Sequence, residues 1–310
     1  MVKVVYYYYK QQYSQQEIAE KFNISRQKVN RLLKKANEEG IIEIRINGFE
    51  NFNIQLEDEI EKEFNLKDVI VVENKVEDQI FVEASNYIKN IILNHIKKND
   101  RCSIGVTWGE TLSKLANYIN YTNKHISVTQ LVGGINTKDN YINPQQVTNK
   151  MAMKLGGNGY NLFAPAIIKN SNIKDILMLE SNNEVVKMFD NIDISIAGIG
   201  DFSEYSTLVK QGHISNDDYN RLRNKQAIGD ICLRVFDIDG NIVDEEFDNK
   251  VVGIDKNVYK KIKFKIGIAY GTRKTKAIIG AIKGGFIDAL ITDEETAKSI
   301  IQYSMNYLKK

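Results

Sequence analysis

The chain has 310 residues, 42 of them Lys or Arg and 40 Asp or Glu, for a net charge of +2. That length suits a small module joined to one larger or two medium domains. Two cysteines, Cys102 and Cys232, lie far apart without CxxC or His-rich spacing, which excludes a disulfide framework and leaves no zinc motif; no apolar run approaches the ~18 residues of a spanning helix.

The N-terminal VVYYYY has neither the basic flank nor the small-residue cleavage site of a secretion signal, so a soluble cytoplasmic protein is expected. Residues 1–50 hold nine Lys or Arg against six acids, a charge of +3, and the remainder sums to −1. A weakly basic head on a nearly neutral body is the first organisational signal.

Ser14 and Glu17 have the S-x-x-E spacing of a capping box, so a helix begins near Gln15 with Ile18, Ala19 and Phe22 on one face. Asn23 suits a tight turn, Ile24 plugs the corner, and Ser25 offers a second N-cap. Val29, Leu32 and Leu33 then form an apolar stripe, which leaves Arg26, Gln27, Lys28, Asn30 and Arg31 outward. This is a helix-turn-helix, and Ser25 with those five residues is the candidate DNA-reading set. Arg and Lys match guanine O6 and N7, Gln and Asn match adenine, and such residues reach base edges from the start of a recognition helix. A solvated amphipathic helix in a small bundle would show the same stripe. Gly40 ends the second helix, and IIEIRIN (41–47) alternates as a strand should, giving half of a wing.

Residues 53–64 form a charged helix with Ile54, Leu56, Ile60 and Phe64 apolar, either a connecting or dimerising helix or a surface helix packed on its own domain. The expected boundaries are a head at 1–50, a linker helix at 51–66 and a body at 67–310. In the body, DVIVVEN, RCSIGVT, HISVTQL, IDISIAGIGD, AIGDICLRVFD, KFKIGIA and DALITD read as strands, most followed by helical segments. Continuous Ile and Val alternating with helices predict a mainly parallel, doubly wound α/β sheet covered on both faces. Ligands bind beyond the carboxyl ends of such strands.

The turns there are rich in glycine. In GVTWGETL, Thr107, Gly109, Glu110 and Thr111 lead into a helix whose free N–H groups can hold an anion such as phosphate, or form a plain tight turn. It lacks both the GxGxxG of a dinucleotide site and the GxxxxGK[ST] of a triphosphate loop. LVGGIN supplies Gly133 and Gly134. GTRKTKAI supplies Gly271 and Lys274, a cation in a first helical turn where an anionic partner would offset the unfavourable dipole, or where solvent alone does so. Asp230 can accept from sugar hydroxyls or cap its own turn. His95, His125 and His213 have no partner at triad or metal spacing, so no cofactor, metal or nucleophilic chemistry is expected, although an Asp and a Lys in a sugar-phosphate pocket could serve an isomerase or deaminase.

Together these segments resemble a known family. YYKQQYSQQEIAEKFNISRQKVNRLLKKANEEGIIEIRI is similar to the DNA-binding head of the SorC family of bacterial sugar-responsive regulators. GVTWGETL, QLVGGIN, NLFAPAII, AIGDICLRVFD and GTRKTKAIIGAIKGGFIDALITDEETA resemble its effector domain in order and spacing. The resemblance implies a winged helix-turn-helix joined to a Rossmann-like domain similar to ribose-phosphate isomerase and glucosamine-phosphate deaminase folds, without their catalysis. It implies operator DNA and a phosphorylated sugar as partners, and dimers or tetramers as the assembly. By position, the phosphate turn falls on Gly109, Glu110 and Thr111, and the other effector contacts on the Gly133–Gly134 turn, Asp230 and Lys274. Glu110 departs from the small polar residue frequent there. Val132 stands where some members carry a basic residue, and Tyr270 where a glycine is usual.

Overall fold

A computed structural model describes residues 1–42, 53–73, 78–134, 143–168, 172–204, 206–210 and 214–308. They fall into two compact units, Met1–Phe52 and Asn53–Lys310. No helix among the described residues is long and apolar enough to cross a membrane.

In the first unit, helix Gln15–Phe22 opens on the expected capping box. Ser14 Oγ accepts from the Glu17 N–H at 3.2 Å, and the Glu17 carboxylate accepts from the Ser14 N–H at 2.7 Å. Asn23 takes the left-handed conformation that ends the helix, and Ser25 Oγ accepts from the Lys28 N–H at 3.2 Å to start helix Arg26–Glu38. Ile18, Val29 and Ala36 are fully buried between the two. The sequence reading assigned no element before Ser14, because consecutive tyrosines show no helical period. The structure has helix Val2–Val5 running into a π-helical turn, Tyr6–Lys10. Val4 and Val5 enter the core, and Tyr7 packs edge-on against Phe22 at 5.6 Å between ring centroids. The expected wing strand lies largely on residues 43–47, outside the described residues; Ile41 and Ile42 leave the helix without joining a strand.

The second unit is built on a seven-stranded, wholly parallel sheet. Its strands are β1 (Asp68–Val72), β2 (Cys102–Val106), β3 (Ile126–Gln130), β4 (Asn158–Tyr160), β5 (Ile194–Gly198), β9 (Phe264–Ile268) and β10 (Ala289–Asp293), in the order β1-β10-β9-β5-β2-β3-β4. The remaining strands, β6 (Gly200–Asp201), β7 (Gly229–Ile231) and β8 (Arg234–Phe236), form a separate antiparallel sheet. Period-two alternation sends Ile104, Val106, Ile194, Ile196 and Ile266 into one core layer and Leu290, Ala197 and Val69 into the other. All five residues of β2 are buried, as a central parallel strand requires.

Two sequence expectations change here. Residues 227–237 are a hairpin rather than one strand of the parallel sheet. It turns at Cys232 and Leu233, whose φ values of 52° and 61° give the turn twist that suits a tight hairpin. Neither residue is the Gly, Asn or Asp that normally signals such a turn, so the apolar run conceals it. The charged helix Ile54–Phe64, given above as a linker with packing on its own domain as the alternative, takes that alternative and belongs to the larger unit. Glu57 and Glu61 accept from the Val71 and Val69 N–H groups at 2.9 Å each, covering the open edge of β1, while Ile60 is fully buried.

Arg234 anchors the hairpin. Its guanidinium pairs with Asp248 at 3.1 Å and donates to the Asp248 and Ile254 carbonyls at 2.7 and 2.8 Å. Arg234→Met strands a buried carboxylate that, among the described residues, keeps Lys256 at 3.3 Å as its ion-pair partner. The expected destabilisation is about 3 kcal/mol, seen as a lower urea midpoint with an unchanged slope.

Candidate functional site

In the parallel sheet the chain runs one way through β2, β3 and β4 and the other way through β5, β9 and β10, so the order reverses between β2 and β5. The carboxyl ends of strands diverge at such a point and open a crevice. Across it the Gly198 N–H donates to Thr107 Oγ1 at 3.2 Å. Gly109 follows at φ 124°, a conformation that L side chains rarely adopt, and serves as the N-cap of helix Glu110–Tyr118 with no side-chain cap. The first N–H groups of that helix are therefore left for a guest.

These elements enclose a cavity of about 540 Å³. One wall is Thr107, Trp108, Gly109, Glu110, Thr111 and Lys114; the end of β5 adds Gly198 to Asp201. The hairpin contributes Asp230, Cys232 and Leu233, and the turn after β9 contributes Tyr270, Arg273 and Lys274. Val132, Ser206 and Leu208 complete the lining, which contains no histidine.

The charges are divided. Asp201, nearly buried, pairs with Arg273 Nε at 3.1 Å and accepts from Ser203. Asp230 lies on β7 opposite Gly200, and burial, helped by the Asp201 charge, pushes its carboxyl from 3.8 to about 7 against the Leu233 N–H and Lys274. Burial also holds the Lys274 ammonium below its ordinary range, against the pull of Asp201 and Asp230. The ammonium lies 5.9 Å from the Tyr270 ring centroid and has no ion-pair partner among the described residues. Burial raises the Tyr270 phenol as well, although Thr111 hydrogen-bonds to it. The Glu110 carboxylate lines the cavity but is drawn away from its interior. Its side chain is 56% exposed and turned onto Lys114 at 3.1 Å.

The structure thus brings Thr107, Gly109, Glu110, Thr111, Asp230 and Lys274 to one cavity and leaves Gly133, Gly134 and Gly271 outside its lining. Gly133 is a packing glycine: a Cβ would stand 2.4 Å from the Pro165 carbonyl oxygen, and its own carbonyl accepts from Trp108 Nε1 at 3.1 Å. The neighbouring Gly134 N–H is bound to the Ala164 carbonyl at 2.8 Å. The Gly271 N–H is given to the Asp293 carboxylate at 2.7 Å. Lys274 ends a single 3-10 turn, Thr272–Lys274, one residue before the helix that was expected to contain it. Sequence reasoning missed Asp201, Ser206, Leu208, Cys232 and Leu233; only the strand order, invisible in one dimension, brings them to the crevice.

In the first unit Ser25, Arg26, Gln27, Lys28, Asn30 and Arg31 are all exposed. Ser25 Oγ is committed to its cap, whereas Arg26, Lys28 and Arg31 have no ion-pair partner among the described residues. A helix-turn-helix on one chain with a switch-point cavity defines a transcriptional regulator that carries its own ligand sensor.

Comparison with known proteins identifies the kind of regulator. Residues 50–302 match the family described as "Putative sugar-binding domain", and residues 2–39 match "Sigma-70, region 4". The sorbitol operon regulator of Klebsiella pneumoniae is 26% identical over 97% of both chains, and its full-length crystal structure superposes with a TM-score of 0.74 over 96% of both. The deoxyribonucleoside regulator of Bacillus subtilis is 29% identical over 95% of this chain and 94% of its own. The chain belongs to the SorC family of sugar-binding transcriptional regulators. It is a DNA-binding regulator of carbohydrate genes with a small-molecule sugar ligand.

Asp230 gives the site a pH signature. A carboxyl whose folded pKa is raised stabilises fully below its unfolded value of 3.8, and that contribution is lost as pH climbs to about 7. Asp230→Asn removes the loss. Its urea midpoint relative to the unaltered chain should rise between roughly pH 4 and pH 7 and stay level above.

Proposed function

We propose that the chain is a repressor whose operator complex is released or rearranged when a phosphorylated sugar fills the cavity. One observation carries this reading: a single cavity combines an uncapped helix start and unpaired Lys274 with two buried acids, Asp201 and Asp230. The cationic part suits a phosphate, and the acids suit hydroxyl groups. We read the role as binding rather than turnover, because the relatives that the chain resembles along its length are named as transcriptional regulators. The protein works in the cytoplasm as a dimer or tetramer, with one recognition helix for each operator half-site. Sensing requires only that the ligand bind two quaternary arrangements unequally, by about 1–3 kcal/mol.

The test uses fluorescent DNA from upstream of its own operon, with a panel of phosphosugars screened first by thermal shift. Arg31→Ala should weaken operator binding by about 1–3 kcal/mol and leave the phosphosugar shift intact. Lys274→Ala should keep operator affinity and lose ligand-driven release. Release that survives Lys274→Ala, or loss of both activities in either variant, contradicts the proposal.

A further inference from the structure

The geometry points to a transition-metal site, fitted to Zn2+, made by His95, Cys102 and Asp193 at the end of the sheet opposite the cavity. Cys102 is the first residue of β2, and Asp193 immediately precedes β5. Because β2 and β5 are hydrogen-bonded neighbours, their amino ends lie side by side. His95 comes down onto them from the last turns of helix Gln79–Asn99. One ligand atom from each side chain lies within 4.8 Å of the other two. His95 Nε2 is 3.4 Å from Asp193 Oδ2, which a backbone donor, the Ser103 N–H at 3.0 Å, holds in place.

The donor set decides the ion. Hard cations such as Ca2+ and Mg2+ take oxygen ligands, whereas one imidazole, one thiolate and one carboxylate suit Zn2+ or a neighbouring late transition metal. Ligands around tetrahedral zinc stand about 3.5 Å apart, a spacing that His95 and Asp193 already have, so the Cys102 thiol closes by about 1 Å at most. His95 and Asp193 are 17% and 18% exposed, which leaves solvent to supply a fourth ligand. Lys263, 77% exposed and 3.7 Å from Asp193 Oδ1, swings into solvent as the ion enters. Coordination replaces the Cys102 Sγ proton, which passes to solvent. The ion pins the helix to the two strands that flank the switch point. Residues spaced 95, 102 and 193 form no sequence motif, and the site stands apart from the effector cavity, so either can fail without the other.

The test uses the full-length chain stripped with a chelator and titrated with Co2+ alone, then with Zn2+ in competition. One Co2+ per chain should bind with a thiolate-to-cobalt charge-transfer band, and Zn2+ should displace it and raise the melting temperature. Cys102→Ser should lose the band. Asp193→Asn, which keeps an acceptor for the Ser103 N–H and so preserves the fold, should weaken Zn2+ binding at least about tenfold. His95→Ala should do the same, and His125→Ala should not. A titration without binding, binding without the band, a band that survives Cys102→Ser, or unchanged affinity in Asp193→Asn would each overturn the assignment.

Discussion

The Gly198 N–H to Thr107 hydroxyl bond ties together the two strands between which the sheet reverses direction. Everything that lines the cavity follows from that reversal. Because every strand of the large sheet is parallel, all carboxyl ends face one way, and every turn after a strand emerges on the same side. Between β2 and β5 the following segments leave in opposite directions, so no connection fills the space. The chain places its glycine and polar turns there, where an exposed helix start and nearby side chains can share one guest.

A protein selected for stability alone would not leave Asp230 and Lys274 as they are. Burial moves each toward its neutral form, and each is only partly relieved by the other. Arg273 is already drawn to Asp201, and Lys114 to Glu110. Lys274 is thus the lining cation whose charge is least answered, and Asp230 the carboxyl least able to ionise. Unmet polar demand of this kind destabilises the empty protein, and a guest that supplies the missing partners relieves it on binding.

Local chemistry was legible in the sequence where one residue settles the outcome. The Ser14–Glu17 box, the Ser25 cap, the outward Arg26 to Arg31 face and the Gly109 turn all stand as the residue pattern implies, because capping and amphipathic spacing are short-range. What was hidden depends on topology. The Cys232–Leu233 hairpin lacks turn residues, so a hydrophobic run concealed a change of direction and a second sheet. The family resemblance puts Gly133 among the effector contacts by position, although a double glycine after a strand suits close packing equally well. Only the Pro165 carbonyl, more than thirty positions on in the sequence, decides for packing.

The two sheets of the larger unit give the cavity leverage. Thr107, Gly109 and Tyr270 follow strands of the parallel sheet, whereas Asp230 and Leu233 belong to the antiparallel hairpin. Among the described residues, Arg273 already bridges the two through Asp201 on β6. An anion held by the Glu110 helix start and Lys274, with hydroxyls on Asp230, would fasten the small sheet to the large one at a further point. Packed layers shift between discrete arrangements rather than deforming smoothly. Occupancy of the cavity would therefore bias how the small sheet sits, and such a bias would become regulation if the favoured arrangement also presented a different subunit surface.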